Sequence, residues 1–256
     1  MPSAWVILPT YNEAENVERL VAAVLAALDD APVDGHVLVV DDDSPDGTGA
    51  IADGLAAADP RVVVRHNGPK HGLGRAYLAG FRQALAAGAD LLVEMDCDFS
   101  HDPADLPRLL APVLAGTADV ALGSRYVEGG AIEDWGPARR LISAGGSRYA
   151  RMVLGVDVRD LTGGFKCFSA DVLRAIDLDG VRANGYVFQI EMTFRALRAG
   201  YVVAEVPIVF RDRRLGASKM TARVALEAAW KVPALRLAAG VRRRRAARAG
   251  TGRAHR

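Results

Sequence analysis

Short apolar runs recur along the first half of the chain, separated by longer segments rich in Ala and Leu. The runs cover residues 5–8, 36–40, 61–64, 91–95 and 119–122, and helical spacing marks residues 14–28, 77–87 and 104–114. Strands that alternate with helices at a step of about 30 residues predict βαβ units and a parallel sheet. Because the strands are almost continuously apolar, we expect helices on both faces of that sheet.

Beyond Arg125 the pattern changes. Residues 126–140 read as a loop, 139–154 as a helix, "LTGGFKCF" as a turn into a strand, 186–200 as a helix and 201–210 as one further strand. No linker-like segment interrupts this order, so residues 1–220 are predicted to form one catalytic domain.

Two segments follow that domain. Residues 221–239 combine charges four positions apart with apolar surface, which fits either a core-packed helix or an amphipathic helix at a membrane interface. Pro233 is expected to kink or interrupt this helix. Residues 240–256 carry seven arginines and no acid, which leaves a charge of −6 on the rest of a chain whose total is +1. This tail is predicted to be disordered, and it either stays solvated or binds an anionic partner.

Composition narrows the class of protein. Half of the residues are apolar and a quarter are charged, as in ordinary globular proteins. The two cysteines, Cys97 and Cys167, have neither metal-binding nor redox spacing, which favours a reducing compartment. The chain starts with an apolar strand-like segment rather than a leader, and no apolar run approaches the roughly 20 residues of a membrane span.

Polar or Gly-rich stretches follow every one of the first five predicted strands. They read "PTYNEAEN", "DDDSPDGT", "HNGPKHGLG", "DCDFSHDP" and "GSRY". Each has an ordinary explanation, such as turn chemistry in "SPDGT" or helix capping by Asn12. Because ligands bind at the carboxyl ends of parallel strands, five such loops on one edge together predict a binding site.

The acids of "DCDFS" suggest what that site holds. In extended backbone Asp96 and Asp98 point the same way and Cys97 points away, while Ser100 extends the row of oxygens. Hard carboxylate oxygens suit Mg²⁺ or Mn²⁺, with the remaining ligands supplied by substrate phosphates.

Eight motifs in order, "PTYNEAENV", "VVDDDSPDGT", "GLGRAYLAGF", "MDCDFSHDP", "GSRYVEGG", "DLTGGFKCF", "GYVFQIEM" and "DRRLGASK", carry a resemblance to a known family. Over residues 4–220 the chain resembles the inverting GT-A glycosyltransferases, and among them the polyprenyl-phosphate (dolichol-phosphate) mannose synthases. The resemblance implies a Rossmann-like α/β fold with a mostly parallel sheet flanked by helices. It also implies metal-dependent transfer of mannose from GDP-mannose to a polyprenyl monophosphate, with inversion.

The resemblance assigns roles to matching positions. It implies catalytic roles for Asp96, Asp98 and Arg125, and a metal site at Asp96, Asp98 and Ser100. Groups near the acceptor phosphate are Arg125, Arg139 and Ser143. The nucleotide-sugar contacts are Pro9, Tyr11, Glu13, Val40, Asp42, Asp96, Cys97, Asp98, Arg125, Arg213 and Lys219. Ser147 departs from the Asn that many relatives carry, which weakens the acceptor-side assignment.

Electrostatics agrees with these roles, because two anionic substrates approach each other only if cations lie between them. A lipid phosphate is already ionised and needs no general base, unlike an alcohol. Glu191 is the one candidate base, and a role in ordering the arginine-bearing loop suits it better.

The implied partners are GDP-mannose, a polyprenyl phosphate, an anionic membrane surface that binds the basic tail, and a separate membrane-protein partner, with no nucleic acid. The expected location is the cytoplasmic face of the cell membrane, as a peripheral protein. Three alternatives stay open: UDP-glucose or a soluble acceptor in place of these substrates, an aspartate-based phosphatase suggested by "DCDFS", and a nucleic-acid-binding protein suggested by the arginine tail.

Overall fold

A computed structural model describes residues 1–69, 72–183, 185–211 and 229–238. Its strands are β1 (Ser3–Thr10), β2 (Asp34–Asp41), β3 (Val62–His66), β4 (Leu91–Glu94), β5 (Val120–Ser124), β6 (Ala131–Ile132), β7 (Lys166–Ser169), β8 (Val203–Pro207) and β9 (Val209–Phe210). Its α-helices are α1 (Val17–Asp29), α2 (Thr48–Ala58), α3 (Leu73–Ala86), α4 (Leu106–Leu114), α5 (Pro137–Leu154), α6 (Ala170–Ala175) and α7 (Gly185–Arg198). Short 3₁₀ turns span Pro103–Asp105 and Leu178–Gly180, and residues 229–238 are helical.

The main sheet has seven strands in the order β3-β2-β1-β4-β7-β5-β8. Six of them run in the same direction, and β7 lies antiparallel between β4 and β5. The prediction of a mostly parallel sheet is therefore confirmed. The carboxyl ends of the six parallel strands form one edge, which is called the carboxyl edge below.

Apolar side chains cover both faces of the sheet, as the continuous apolar strands predict. In β1, Val6 and Leu8 pack towards α1 and α4, whereas Ile7 packs towards α3 and α7. A third cluster joins α5, α7 and the 229–238 helix through residues that include Phe194 and Val232. Each helix is thus held by burial of one apolar face, which is the main favourable term in folding.

Three details differ from the sequence-based expectations. Residues 201–210 form two strands rather than one, because β8 pairs with β5 while β9 pairs with β6 in a separate two-stranded sheet. The 229–238 helix continues through Pro233 without interruption. Strand β4 ends at Glu94, so the alternation argument does not apply to Asp96 and Asp98, although Cys97 is buried in the core as expected.

The proposed domain limits at residues 220 and 240 lie outside the described residues. Within the described part of the 229–238 helix, Val232 is fully buried against the core, while Trp230 and Leu237 are exposed. Across all the residues that the structure describes, no helix is long and apolar enough to cross a bilayer.

Candidate active site

Asp41, the last residue of β2, organises the carboxyl edge near β1. Its buried carboxylate accepts hydrogen bonds from the Thr10 hydroxyl at 2.9 Å, from the Ser44 hydroxyl at 2.6 Å and from the Ser44 amide at 3.1 Å. The Ser44 hydroxyl in turn accepts from the Asn12 amide at 3.1 Å. Asn12 and Asp43 both have positive φ, which Asn and Asp tolerate better than most residues. The loops after β1 and β2 are therefore fixed to each other, a role that sequence reasoning gave to neither Asp41 nor Ser44.

The predicted nucleoside-binding residues lie on these two loops. Pro9 and Val40 are register partners in adjacent strands, and the Glu13 amide donates to the Thr48 hydroxyl at 2.9 Å. The Asp42 carboxylate accepts from Asn67 at 2.9 Å, which ties in the loop after β3. The fold thus brings Pro9, Tyr11, Glu13, Val40 and Asp42 to one corner of the carboxyl edge. Val40 as a whole is fully buried in β2.

Asp96 and Asp98 follow β4 at the middle of the same edge. Asp96 Oδ1 accepts a 3.1 Å hydrogen bond from the Tyr77 hydroxyl, and burial together with the Asp96 charge raises the pKa of Tyr77 well above its usual value. Asp98 is buried, and its Oδ1 accepts from the Ser100 amide at 3.0 Å. Tyr77 is consequently a neutral donor that orients Asp96.

The chemistry of this donor set fits a hard divalent cation. Asp96, Asp98 and Ser100 offer only oxygen, and the two carboxylates supply the negative charge that Mg²⁺ or Mn²⁺ prefers. Among the described residues no group of three or more His, Cys, Asp or Glu side chains is arranged to hold a metal. A cation at Asp96 and Asp98 would therefore complete its shell with water and substrate phosphates, which is the usual arrangement for Mg²⁺.

Glu94, Lys166 and Gln189 form a buried polar cluster close to Asp96. Lys166 Nζ donates to Gln189 Oε1 at 2.5 Å and to the Gln189 backbone oxygen at 2.9 Å, and it lies 4.0 Å from Glu94 Oε2. Burial raises the pKa of Glu94 to about 7 and lowers the pKa of Lys166 to about 8. None of these residues carried a sequence signal of its own, because the pairing of Glu94 with Lys166 arises only when β7 joins β4.

Arg125 follows β5 and is buried in a bidentate ion pair with Asp160. Its Nε and one terminal nitrogen donate to the two Asp160 oxygens, each at 2.7 Å, and its backbone amide donates to Oδ2 at 3.0 Å. Burial alone would favour the neutral acid, but Arg125 outweighs it and holds the pKa of Asp160 below its usual value. Sequence reasoning missed Asp160, which sits 35 residues away in a segment read only as a turn.

The three predicted acceptor-side residues surround two aromatic rings. The Arg125 guanidinium lies 5.3 Å from the Tyr126 ring centre and 5.8 Å from that of Trp135, and the Arg139 guanidinium lies 4.0 Å from the Trp135 ring centre. The Tyr126 hydroxyl donates to Ser143 Oγ at 2.8 Å. Arg125, Arg139 and Ser143 thus form one cluster at the start of α5. Trp135 and Tyr126, which connect them, were not among the predicted site residues.

Arg211, the first residue after β9, lies at this edge. The Arg211 amide donates to the Ser100 carbonyl at 3.1 Å, and its side chain pairs with Asp102 at 3.0 Å and Glu133 at 3.1 Å. Arg213 and Lys219, the predicted donor-phosphate contacts, lie outside the described residues, and their roles stay predictions.

Glu191 lies away from the acids of the carboxyl edge. Its carboxylate pairs with Arg195 at 2.7 Å and accepts from the Ala183 amide at 3.2 Å. It lines an apolar groove of about 750 Å³ between α7 and the 229–238 helix, together with residues such as Val187, Phe194 and Trp230. These contacts favour a structural role for Glu191 rather than that of a general base.

The mostly parallel sheet, with carboxylates and arginines gathered at its carboxyl edge, defines a GT-A glycosyltransferase. The chain belongs to glycosyl transferase family 2, whose family model matches residues 5–177.

Curated relatives extend this likeness over most of the chain. Undecaprenyl-phosphate mannosyltransferase of Micrococcus luteus is 51% identical over 233 residues, which is 91% of this chain and 93% of that protein. Polyprenol monophosphomannose synthase of Mycolicibacterium smegmatis is 51% identical over 228 residues, or 89% and 84% of the two chains.

Solved structures with the same fold include glucosyl-3-phosphoglycerate synthase from Mycobacterium tuberculosis in complex with Mn²⁺, UDP-glucose and phosphoglyceric acid. It is 25% identical, has a TM-score of 0.61, and is matched over 93% of this chain and 79% of its own. Mannosyl-3-phosphoglycerate synthase from Rubrobacter xylanophilus has a TM-score of 0.65 at 21% identity, with coverage of 92% and 74%. The second likeness concerns the fold alone.

Proposed function

We propose that this glycosyltransferase transfers mannose from GDP-mannose to the phosphate of a polyprenyl monophosphate, with inversion at the anomeric carbon. The two curated relatives, at 51% identity over about nine-tenths of the chain, are named for mannosyl transfer to such lipids. One structural observation carries the proposal. One edge of the sheet carries both the acids Asp96 and Asp98 and the cluster of Arg125, Arg139 and Ser143. Helix α5, which holds Arg139 and Ser143, also exposes apolar side chains to solvent.

On the donor side, the loops fixed by Asp41 would hold the nucleoside, and Asp96 and Asp98 would hold Mg²⁺ or Mn²⁺. When bound, the cation neutralises the diphosphate and makes it a better leaving group. Tyr77 would keep Asp96 oriented for this task through its 3.1 Å hydrogen bond. Arg213 and Lys219 are proposed to add positive charge around the diphosphate.

On the acceptor side, Arg139 and Ser143 are proposed to bind the lipid phosphate, with Arg125 beside them. Asp160 uses two donors of the Arg125 guanidinium and the Thr162 hydroxyl uses a third, so a contact with phosphate would involve the other terminal nitrogen. An ionised phosphate oxygen attacks the anomeric carbon directly, the bond to the diphosphate breaks, and the sugar changes from α-linked to β-linked. No residue needs to remove a proton from this nucleophile.

The outer side of α5 supports an approach from a membrane. The helix has four arginines and no acid, and Leu141, Ile142 and Met152 are exposed on it. The 229–238 helix packs beside it, since the Tyr149 hydroxyl donates to the Ala229 oxygen at 2.7 Å, and it adds exposed Trp230 and Leu237. We propose that this pair of helices, called the α5 face below, rests on anionic lipid at the cytoplasmic side of the membrane, assisted by the basic tail. A separate membrane-protein partner would add to this contact.

The test is transfer of labelled mannose from GDP-mannose to a polyprenyl phosphate in detergent, with UDP-glucose in parallel. We expect metal-dependent lipid product from GDP-mannose alone, lost in Asp98→Ala. Lipid product from UDP-glucose alone would contradict GDP-mannose as the donor, while direct displacement by the lipid phosphate would still apply. Folded protein that produces no lipid-linked sugar from either donor, with detergent-solubilised membranes present, would contradict the assigned acceptor.

A further inference from the structure

Tyr126 lies between two of the proposed acceptor-side residues, which come from different elements of the fold. Its hydroxyl donates to Ser143 Oγ of helix α5 at 2.8 Å. Its ring centre lies 5.3 Å from the guanidinium carbon of Arg125, the residue that follows β5. One side chain therefore contacts a cation from the loop after β5 and a hydroxyl from α5, and it does so with different groups.

The hydrogen bond between Tyr126 and Ser143 determines how the Ser143 hydroxyl is used. Burial raises the pKa of Tyr126, so the phenol keeps its proton at neutral pH and can donate it. A serine hydroxyl has one donor and two acceptor lone pairs. Tyr126 occupies one lone pair of Ser143 Oγ, and among the described residues no group accepts a hydrogen bond from Ser143. The Ser143 proton is therefore available to an anionic ligand.

A serine inside a helix has a competing partner, the backbone carbonyl four residues earlier. Helix α7 shows this bond at a comparable position, where the Thr193 hydroxyl donates to the Gln189 carbonyl at 3.1 Å. For Ser143 the corresponding carbonyl belongs to Arg139, and in the orientation held by Tyr126 the bond is not made. Without the Tyr126 hydroxyl, that carbonyl would become the partner within reach of Ser143.

We propose that Tyr126 is a positioning residue for the acceptor: its hydroxyl holds Ser143 in the orientation in which Ser143 donates to the lipid phosphate. Its ring meanwhile packs against the Arg125 guanidinium beside that phosphate. Ser143 is buried whereas Tyr126 and Arg139 are partly exposed, so the phosphate would approach Ser143 past these two side chains. The inference rests on the proposed function, because it requires a phosphate at Ser143.

Tyr126→Phe tests this role, because it removes the hydroxyl and keeps the ring beside Arg125. Mannose transfer by the full chain is measured at saturating GDP-mannose and Mg²⁺ while the concentration of polyprenyl phosphate is varied. We expect the KM for polyprenyl phosphate to rise about fivefold or more, since a hydrogen bond to a charged group is lost. The affinity for GDP-mannose, measured by calorimetry, should not change.

Tyr201→Phe is the matched control. It also removes one phenol hydroxyl, which donates to the Asp171 carbonyl at 3.3 Å at an exposed position away from the carboxyl edge. Urea unfolding of both variants checks that they are folded. An unchanged KM for polyprenyl phosphate in Tyr126→Phe, or the same rise in Tyr201→Phe, would overturn the inference.

A double-mutant cycle separates positioning from direct contact. Ser143→Ala alone is expected to raise the KM for polyprenyl phosphate about tenfold, and adding Tyr126→Phe should change it by less than about twofold more, because Tyr126 acts through Ser143. If the two effects multiply instead, Tyr126 acts independently of Ser143, and its positioning role is wrong.

Failure of the proposed function gives a different result, because the wild type itself then departs from expectation. If the wild type makes lipid product from UDP-glucose and not from GDP-mannose, the donor assignment fails, and the same KM comparison with UDP-glucose decides the role of Tyr126. If the wild type makes no lipid-linked sugar from either donor, the acceptor assignment fails and the positioning role fails with it.

Discussion

Arg125 and Asp160 form an ion pair inside the protein in which two nitrogens of the guanidinium meet the two oxygens of the carboxylate, each at 2.7 Å. Both side chains are almost completely excluded from solvent. Bidentate geometry and a third bond from the Arg125 amide satisfy the carboxylate, which makes burial of the two charges tolerable. The pair fixes the chain after β5 to the turn before β7, and so fixes the floor of the proposed acceptor site.

Asp160→Asn is expected to destabilise the protein by about 3–5 kcal/mol, because it leaves a buried guanidinium without its counter-charge. Urea unfolding at neutral pH measures this loss. Asp157→Asn is the matched control, since the Asp157 pair with Arg151 is exposed and worth at most about 1 kcal/mol. Equal losses for the two variants would contradict the buried pair.

The same pair predicts how stability changes in acid. The pKa of Asp160 is lower in the folded protein than in the unfolded chain, so its stabilisation is present above about pH 4 and is lost as pH falls through the folded value. The difference in unfolding free energy between wild type and Asp160→Asn should therefore narrow below about pH 4. A difference that stays constant or widens in acid would count against the assigned pKa shift.

Asp41→Ala is expected to weaken GDP binding without removing any predicted ligand contact. It deprives the Thr10 hydroxyl and both Ser44 donors of their acceptor, so the loops after β1 and β2 lose their connection. Each donor left unsatisfied costs about 1–3 kcal/mol, and calorimetry and unfolding measured together should show both losses. Asp42→Ala removes a predicted nucleoside contact and one hydrogen bond, from Asn67, so it should lower GDP affinity with a smaller loss of stability than Asp41→Ala. If Asp41→Ala changed neither GDP affinity nor the free energy of unfolding, Asp41 would not be the residue that connects the two loops.

Removal of divalent cations is expected to abolish sugar transfer, and added Mn²⁺ or Mg²⁺ should restore it. The donor set at Asp96 and Asp98 contains only oxygen, which suits these cations better than soft metals. Asp98→Asn keeps the size and can still accept from Ser100, but it removes one negative charge. It should therefore need far more Mn²⁺ for half-maximal activity. Full activity in the presence of a strong chelator would exclude a metal at these acids.

Acidic substitutions on the α5 face are expected to release the protein from vesicles. Met152→Glu with Trp230→Glu should weaken binding to anionic vesicles at least about tenfold, because each exposed side chain loses apolar burial in the interface. Val202→Glu is the control, as Val202 is exposed at the amino end of β8. Vesicle binding should also weaken as the salt concentration rises. Unchanged vesicle affinity in the doubly substituted protein would indicate that another surface contacts the membrane.

Much of the fold could be predicted because local patterns encode it. The strands that precede "DDDSPDGT" and "DCDFSHDP" are apolar and short, and parallel topology brings their ends to one edge. The antiparallel insertion of β7 could not be predicted, since it depends on pairing between residues far apart, such as Glu94 with Lys166. The same kind of long-range contact hides Asp160, whose ion pair with Arg125 joins residues 35 positions apart.

The strand order also sets the point during synthesis at which each strand of the main sheet can find its partner. Strands β4 and β5 are not neighbours, and β7, which joins them, follows β5 by more than 40 residues of chain. As the chain leaves the ribosome, β1 to β4 have their mutual partners early, whereas β5 has none until β7 emerges, and β8 comes later still. Strands β1 to β4 are therefore expected to assemble first during synthesis, whereas β5 must wait for β7, the strand that joins it to β4.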